Sequence, residues 1–236
     1  VSDAAILPFI ADEELFRHAE KLVKAAKNGE EKVNKNPYKN VIDPFSALVD
    51  AARQNISLET WMQQEKSRQI QKSFQNAVGD FHQVIIGSMP GWQDAGNGGS
   101  YDVINQDKKI IAEIKNKHNT MNSTSQLGTY DKLANWLDYG RDGYTAYLVE
   151  IVPETPVPYT TPFVPSERKV KRQTRENLLR IDGRSFYALA SGHESALDIL
   201  YGVLPMVLAK ILAIEENTLK STAEFRKLFD KAYLIK

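Results

Sequence analysis

The chain has 236 residues and a mass of 26.6 kDa, which at roughly 100–200 residues per domain predicts one large domain. With 42% apolar and 25% charged residues it cannot be a disordered, collagen-like or coiled-coil chain. It has no cysteine, which excludes disulfides and thiolate metal sites, and 30 basic residues balance 30 acidic ones, so an anionic partner must be met by a local patch.

The opening VSDAAILPFIADEE has neither a positive n-region nor a small-residue cleavage pattern. The most apolar later run, 201–214, is too short to span a bilayer and carries Lys210. A soluble, cytoplasmic protein with no membrane association is expected.

In chain order, Asp12 reads as an N-cap with Glu13 and Glu14 complementing the helix dipole, and Asn28-Gly29 as the stop. Asp43-Pro44 opens a second helix to about Asn55, and Ser57 a third to about Val78. Residues 1–80 thus form a helical layer. The runs QVIIGS at 83–88, YDVIN at 101–105, KIIAEIK at 109–115 and YTAYLVEIV at 144–152 are β-branched or aromatic and read as strands of a catalytic core over 81–152. Leu127, Tyr130, Leu133, Ala134 and Leu137 have helical spacing and mark a crossover helix. Five prolines crowd 153–165, which therefore reads as an extended excursion. The basic segment 166–184, a long helix over 193–214 and a last helix after the capping box Ser221 to Glu224 complete a C-terminal part, 153–236. Helices, then a mixed sheet, then helices make a three-layer α/β domain.

The chemistry concentrates at Asp102 and at Glu113-Ile114-Lys115. Alternation along a strand puts Glu113 and Lys115 on one face. A hairpin turn at 105–108 brings Asp102 opposite that end. Two carboxylates and an ammonium then converge, with the Ile114 carbonyl between them as a further oxygen ligand. Hard oxygens suit Mg²⁺, and a neighbouring lysine can orient or activate a water for phosphodiester hydrolysis.

Asp102, Glu113 and Lys115 resemble the motif of the PD-(D/E)XK nuclease superfamily, with Tyr101 where the superfamily has proline. The stretch GWQDAGNGGSYDVINQDKKIIAEIKNKHNTMN looks like a type II restriction endonuclease, particularly the group that cuts GG-N-CC-type palindromes. The resemblance implies a restriction-endonuclease-like fold and Mg²⁺-dependent cleavage of double-stranded DNA. Many members take an extra carboxylate from the preceding helix, which makes Glu65 a further candidate ligand beside an ordinary pairing with Lys66, Arg68 or Lys72.

DNA contact is expected from two segments. The amide-rich loop 116–126 offers Lys117, His118, Asn119 and Asn122 for bases and phosphates, with Ser123 or Ser125 capping the next helix. Four lysines and one glutamate between Lys108 and His118 add a local positive excess. The basic segment offers Arg168, Lys169, Lys171, Arg172 and Arg175 to phosphates, though such runs are more often solvated faces. No HxxxH spacing, nucleophile elbow or glycine-rich phosphate loop occurs, so a histidine zinc site and a nucleotide cofactor are not expected. A palindromic target favours a homodimer, with 193–214 as a candidate interface or, more simply, a core helix. The alternatives are a structure-specific or repair nuclease with the same site, and a non-catalytic DNA-binding module.

Overall fold

The computed structural model describes residues 5–96, 98–168, 170–215 and 222–233. The chain divides into two compact units, Glu20–Val78 and the remainder. Helices α1 (Asp12–Lys35) and α3 (Leu58–Gly87) each have residues in both.

Within Glu20–Val78, α2 (Pro44–Gln54) starts as the sequence dictates. Asp43 accepts the Phe45 N–H at 2.9 Å, Pro44 fills the first turn, and Asn55 closes the helix at φ 54°. Ala47 and Ala51 pack on Trp61, while Phe45, Leu48 and Val49 face outward. Asn28-Gly29 does not stop α1. A Cβ at residue 29 would lie 2.7 Å from the Ser73 hydroxyl, so the glycine serves a close helix–helix approach.

The larger unit is built on a six-stranded sheet. Strands β1 (Trp92–Asp94), β2 (Val103–Asn105) and β3 (Ile110–Lys117) form an antiparallel meander. Beside β3, β4 (Thr145–Val152) and β8 (Leu178–Asp182) run parallel, and β5 (Thr160–Pro162) closes the edge antiparallel to β8. The order across the sheet is β1-β2-β3-β4-β8-β5. Period-2 alternation divides the side chains between two helical layers. Ile111, Ala146, Leu148 and Leu178 face α4 (Ser123–Asp138) with its Tyr130, Leu133, Ala134 and Leu137. Tyr147 faces the other way, 5.8 Å ring to ring from Phe186 of α5 (Gly183–Ser191). This is the three-layer, restriction-endonuclease-like fold expected.

Several boundaries differ from expectation. Residues 83–88 are not a strand; 83–87 end the 30-residue α3, with Ile85 and Ile86 fully buried, and Ser88 follows in a turn. A short apolar run is equally at home in a buried helix, and packing decides between them. The hairpin turn lies one residue later, at 106–109, closed by Lys109 at φ 52°. The basic segment hides β8 and a small hairpin of β6 (Ser166–Glu167) and β7 (Val170–Lys171). The 193–214 helix is α6 (Ala196–Leu212), with α5 ended before it by Gly192 at φ 77°. Leu200 and Val207 of α6 are core residues. The last helix is α7 (Thr222–Tyr233); Ser221 of its capping box lies outside the described residues. Among the described residues no single helix is long and apolar enough to cross a membrane.

The proline-rich excursion is pinned by polar bonds. Glu150, only 1% exposed on β4, takes a two-pronged bond from Arg180 of β8 at 2.7 and 2.9 Å and a third from the Tyr159 hydroxyl. Burial and the adjacent carboxylate push the Tyr159 phenol well above its ordinary pKa. Asp182 accepts the Tyr159 N–H and caps α5 through Ser185. Arg180→Met should leave Glu150 buried with its charge opposed by nothing but a hydroxyl. A loss of about 3 kcal/mol is expected in urea unfolding, the low end of the usual range because Arg180 keeps a third of its side chain in water. A loss within about 0.5 kcal/mol would mean that the pair is a surface decoration.

Candidate active site

The site sits where β2 ends and β3 continues. Val103 pairs with Ala112, yet the N–H of Asp102 also goes to the Ala112 carbonyl, at 2.9 Å. Two residues of one strand thus oppose one of the other, which is a β-bulge, a device that re-aims a side chain beside an active site. The Asp102 carboxylate folds into the place that a next strand residue would take. Its Oδ2 accepts the Ile114 N–H at 2.7 Å. In an extended strand the N–H and C=O of one residue point the same way, so the Ile114 carbonyl is directed to that side as well.

Glu113 is 5% exposed, in the middle of β3. Such a carboxylate is tolerable only if paired and hydrogen-bonded. Lys115 donates to Oε1 at 2.7 Å and Lys132 of α4 to Oε2 at 2.6 Å. Burial pushes the Glu113 carboxyl upward, but the two ammonium groups outweigh it and hold the group below its ordinary pKa. Asp102 has the opposite balance. Burial and the charge of Glu113 raise it, and the Ile114 N–H, Lys115 and Lys132 only partly offset them. Two carboxylates with divergent acidity thus share one cluster.

Asp102, Glu113, Ile114 and Lys115 are therefore brought together. Lys132 joins them without having stood out in the sequence. Its only signal there is its place on the crossover helix, one residue before the core residue Leu133. Glu65 lies in the other unit, where its carboxylate takes two bonds from Arg68 at 2.7 Å and one from Gln69 at 2.9 Å. This is the ordinary helix-face pairing.

The expected DNA-contacting residues are distributed unevenly. Lys117 ends β3, and His118 and Asn119 form a single 3₁₀ turn. The His118 Nδ1 is buried without a hydrogen-bond partner. The cap of α4 is Asn122, not Ser123 or Ser125; its side chain accepts the Ser125 N–H at 2.8 Å. The local lysine excess is largely engaged. Lys108 Nζ bonds the Leu189 carbonyl at 2.9 Å, at the end of α5, and Lys109 Nζ the Asp142 carbonyl at 3.1 Å. In the basic segment Arg172 pairs with Asp131 and Arg175 with Asp138, both on α4. Arg168 and Lys171 are exposed on the β6–β7 hairpin, and Lys169 lies outside the described residues.

The donor set suits Mg²⁺. Asp102 and Glu113 offer two neighbouring carboxylates, with the Ile114 carbonyl directed to the Asp102 side. Mg²⁺ commonly takes one or two carboxylates and fills its octahedron with waters and phosphate oxygens.

Comparison with known proteins identifies the family. The family model of the Eco47II restriction endonuclease matches residues 7–213. The type II restriction enzyme Eco47II of Escherichia coli is 37% identical over 97% of this chain and 99% of its own length. The type II restriction enzyme Sau96I of Staphylococcus aureus is 30% identical over 86% of this chain and 79% of its own. No solved structure matches. A bulged hairpin with its acid, acid and lysine, in a chain similar to Eco47II almost from end to end, belongs to the Eco47II restriction endonuclease family, as a type II site-specific endonuclease.

Proposed function

We propose that the chain cuts both strands of a GG-N-CC-type palindrome in double-stranded DNA, with Mg²⁺ held by Asp102, Glu113 and the Ile114 carbonyl. When bound, the ion supplies Lewis-acid charge at the scissile phosphate and a more acidic water. The chain's own residues do the rest. The Ile114 N–H fixes Asp102, so its second oxygen is presented without reorganisation. Lys115 reaches from Glu113 toward the attacking water and orients it. A target cut on both strands is met most simply by two copies about a two-fold axis. The observation that carries the reading is the cluster in which Asp102 is tied to Ile114 and the buried Glu113 is held by Lys115.

Lys117, His118, Asn119 and Asn122 follow the catalytic strand directly and are the base-reading candidates. Arg168, Lys169 and Lys171 are the phosphate-tracking candidates. Arg172 and Arg175 are held by Asp131 and Asp138 in partly exposed pairs that solvent screens, so a phosphate can compete for either guanidinium.

Asp102→Ala and Glu113→Ala should abolish plasmid cleavage in Mg²⁺ while specific DNA binding survives in gel shift. Lys115→Ala should slow cleavage by orders of magnitude, and Lys115→Arg should not rescue it, because a planar fork cannot replace a compact ammonium. Near-normal cutting by either acid variant overturns the metal assignment.

Binding titrations at several salt concentrations separate the two DNA segments. Arg168→Ala or Lys171→Ala should make the salt slope shallower by about one unit without changing sequence preference. Asn119→Ala should cost roughly 1–3 kcal/mol on the cognate duplex and relax discrimination at one base pair. Unchanged affinity in all three places recognition elsewhere.

Asp102 also gives a stability prediction. Its pKa is raised on folding, so its contribution favours the fold at low pH and is lost as pH rises through the folded value. Asp102→Asn keeps an acceptor for Ile114 and removes the charge. The metal-free variant should melt above the parent protein at pH 7, with the difference shrinking as pH falls into the carboxylate range. A lower melting temperature at pH 7 refutes the charge-repulsion account.

A further inference from the structure

Glu113 carries more cation than its motif requires. Lys115, two residues along the same strand, already satisfies Oε1. Lys132 comes from a different element, α4, and satisfies Oε2 at 2.6 Å while a third of its side chain stays exposed. Asp102, Glu113, Lys115 and Lys132 together sum to zero charge. A divalent cation ligated by Glu113 meets an oxygen already bonded to an ammonium, and the two positive charges repel across that oxygen. Lys115 is confined by its strand to the Glu113 face. Lys132, on a flexible stem with a third of its side chain exposed, can turn away from Glu113.

We infer that Lys132 is the counter-cation that occupies the place of the metal on Glu113 in the metal-free protein, and that it exchanges Glu113 for a DNA phosphate when the metal binds. The inference rests on the metal site proposed above. It gives Lys132 two states. In the first it satisfies the second oxygen of a buried carboxylate whose other oxygen Lys115 holds. In the second it adds a positive charge to the DNA face beside the scissile bond. In the DNA-free protein its neighbour Asp131 is held by Arg172 through both oxygens. The released ammonium then finds its next strong partner on the nucleic acid. Ordered assembly follows: metal enters against a competing internal cation, and DNA rewards its displacement.

The test is calorimetric titration of Ca²⁺ and of Mg²⁺ into the DNA-free protein, with Lys132→Met beside the parent. Loss of the competing charge should tighten metal binding by about fivefold or more. In Ca²⁺, the Lys132→Met protein should bind cognate DNA with a salt slope about one unit shallower. Lys132→Gln keeps a donor on Glu113 without the charge and should show the same tightening, which covers a folding defect in the methionine variant. Metal affinity that is unchanged or weaker in both variants overturns the inference. Asp102→Asn separates this from failure of the site itself: if it binds metal like the parent protein, the metal lies elsewhere and the proposed site fails, whatever Lys132 does.

Discussion

A carboxylate buried in the middle of a sheet is the constraint on which the rest of this structure depends. Glu113 has almost no contact with water, so its charge must be balanced from within the protein. One ammonium arrives along the strand and the other from the crossover helix, which ties the placement of α4 to the chemistry as well as to the core. The same helix buries Tyr130, Leu133 and Leu137 on the sheet. Hydrophobic packing sets how far Lys132 stands from β3, and the ion pair exploits that distance.

The polar network on the neighbouring strands repeats the pattern. Lys115 is in register with Glu150, and Glu150 with Asp182, so the carboxyl-terminal ends of three parallel strands present charge side by side. In open α/β sheets this end is where ligands bind. Glu150 and Asp182 are spent on Arg180, Tyr159 and the α5 cap, which makes them structural carboxylates beside the candidate site. The distinction lies in the partner. Guanidinium grips both oxygens of Glu150 in a fixed fork, while Glu113 is held by two separate ammonium groups, one on each oxygen.

What can be read in the sequence is what is local. Asp102, Glu113 and Lys115 lie within one hairpin, and strand periodicity with a turn is enough to bring them together. Lys132 is invisible there because its partner lies 19 residues away on another element, and only the tertiary fold brings them within 2.6 Å. The strand β8 is hidden because Leu178 to Asp182 sits inside a run of charges that masks its buried residues. Residues 83–88 mislead for the reverse reason: an apolar run without polar interruption carries no period. The arginines at 172 and 175 look free because their aspartates lie some forty residues earlier, on α4.

The bulge at Asp102 has a consequence for how this hairpin tolerates change. The acid is located by Ala112 and Ile114, at the end far from the turn. Lys108 and Lys109 anchor the inner side of the turn to distant carbonyls, leaving Gln106 and Asp107 exposed at the tip. Residues added between those two lengthen a loop and leave the acid where it was. A single residue added beside the bulge moves the acid off its anchor or carries Glu113 to the opposite face. The hairpin is thus elastic at one end and indexed at the other.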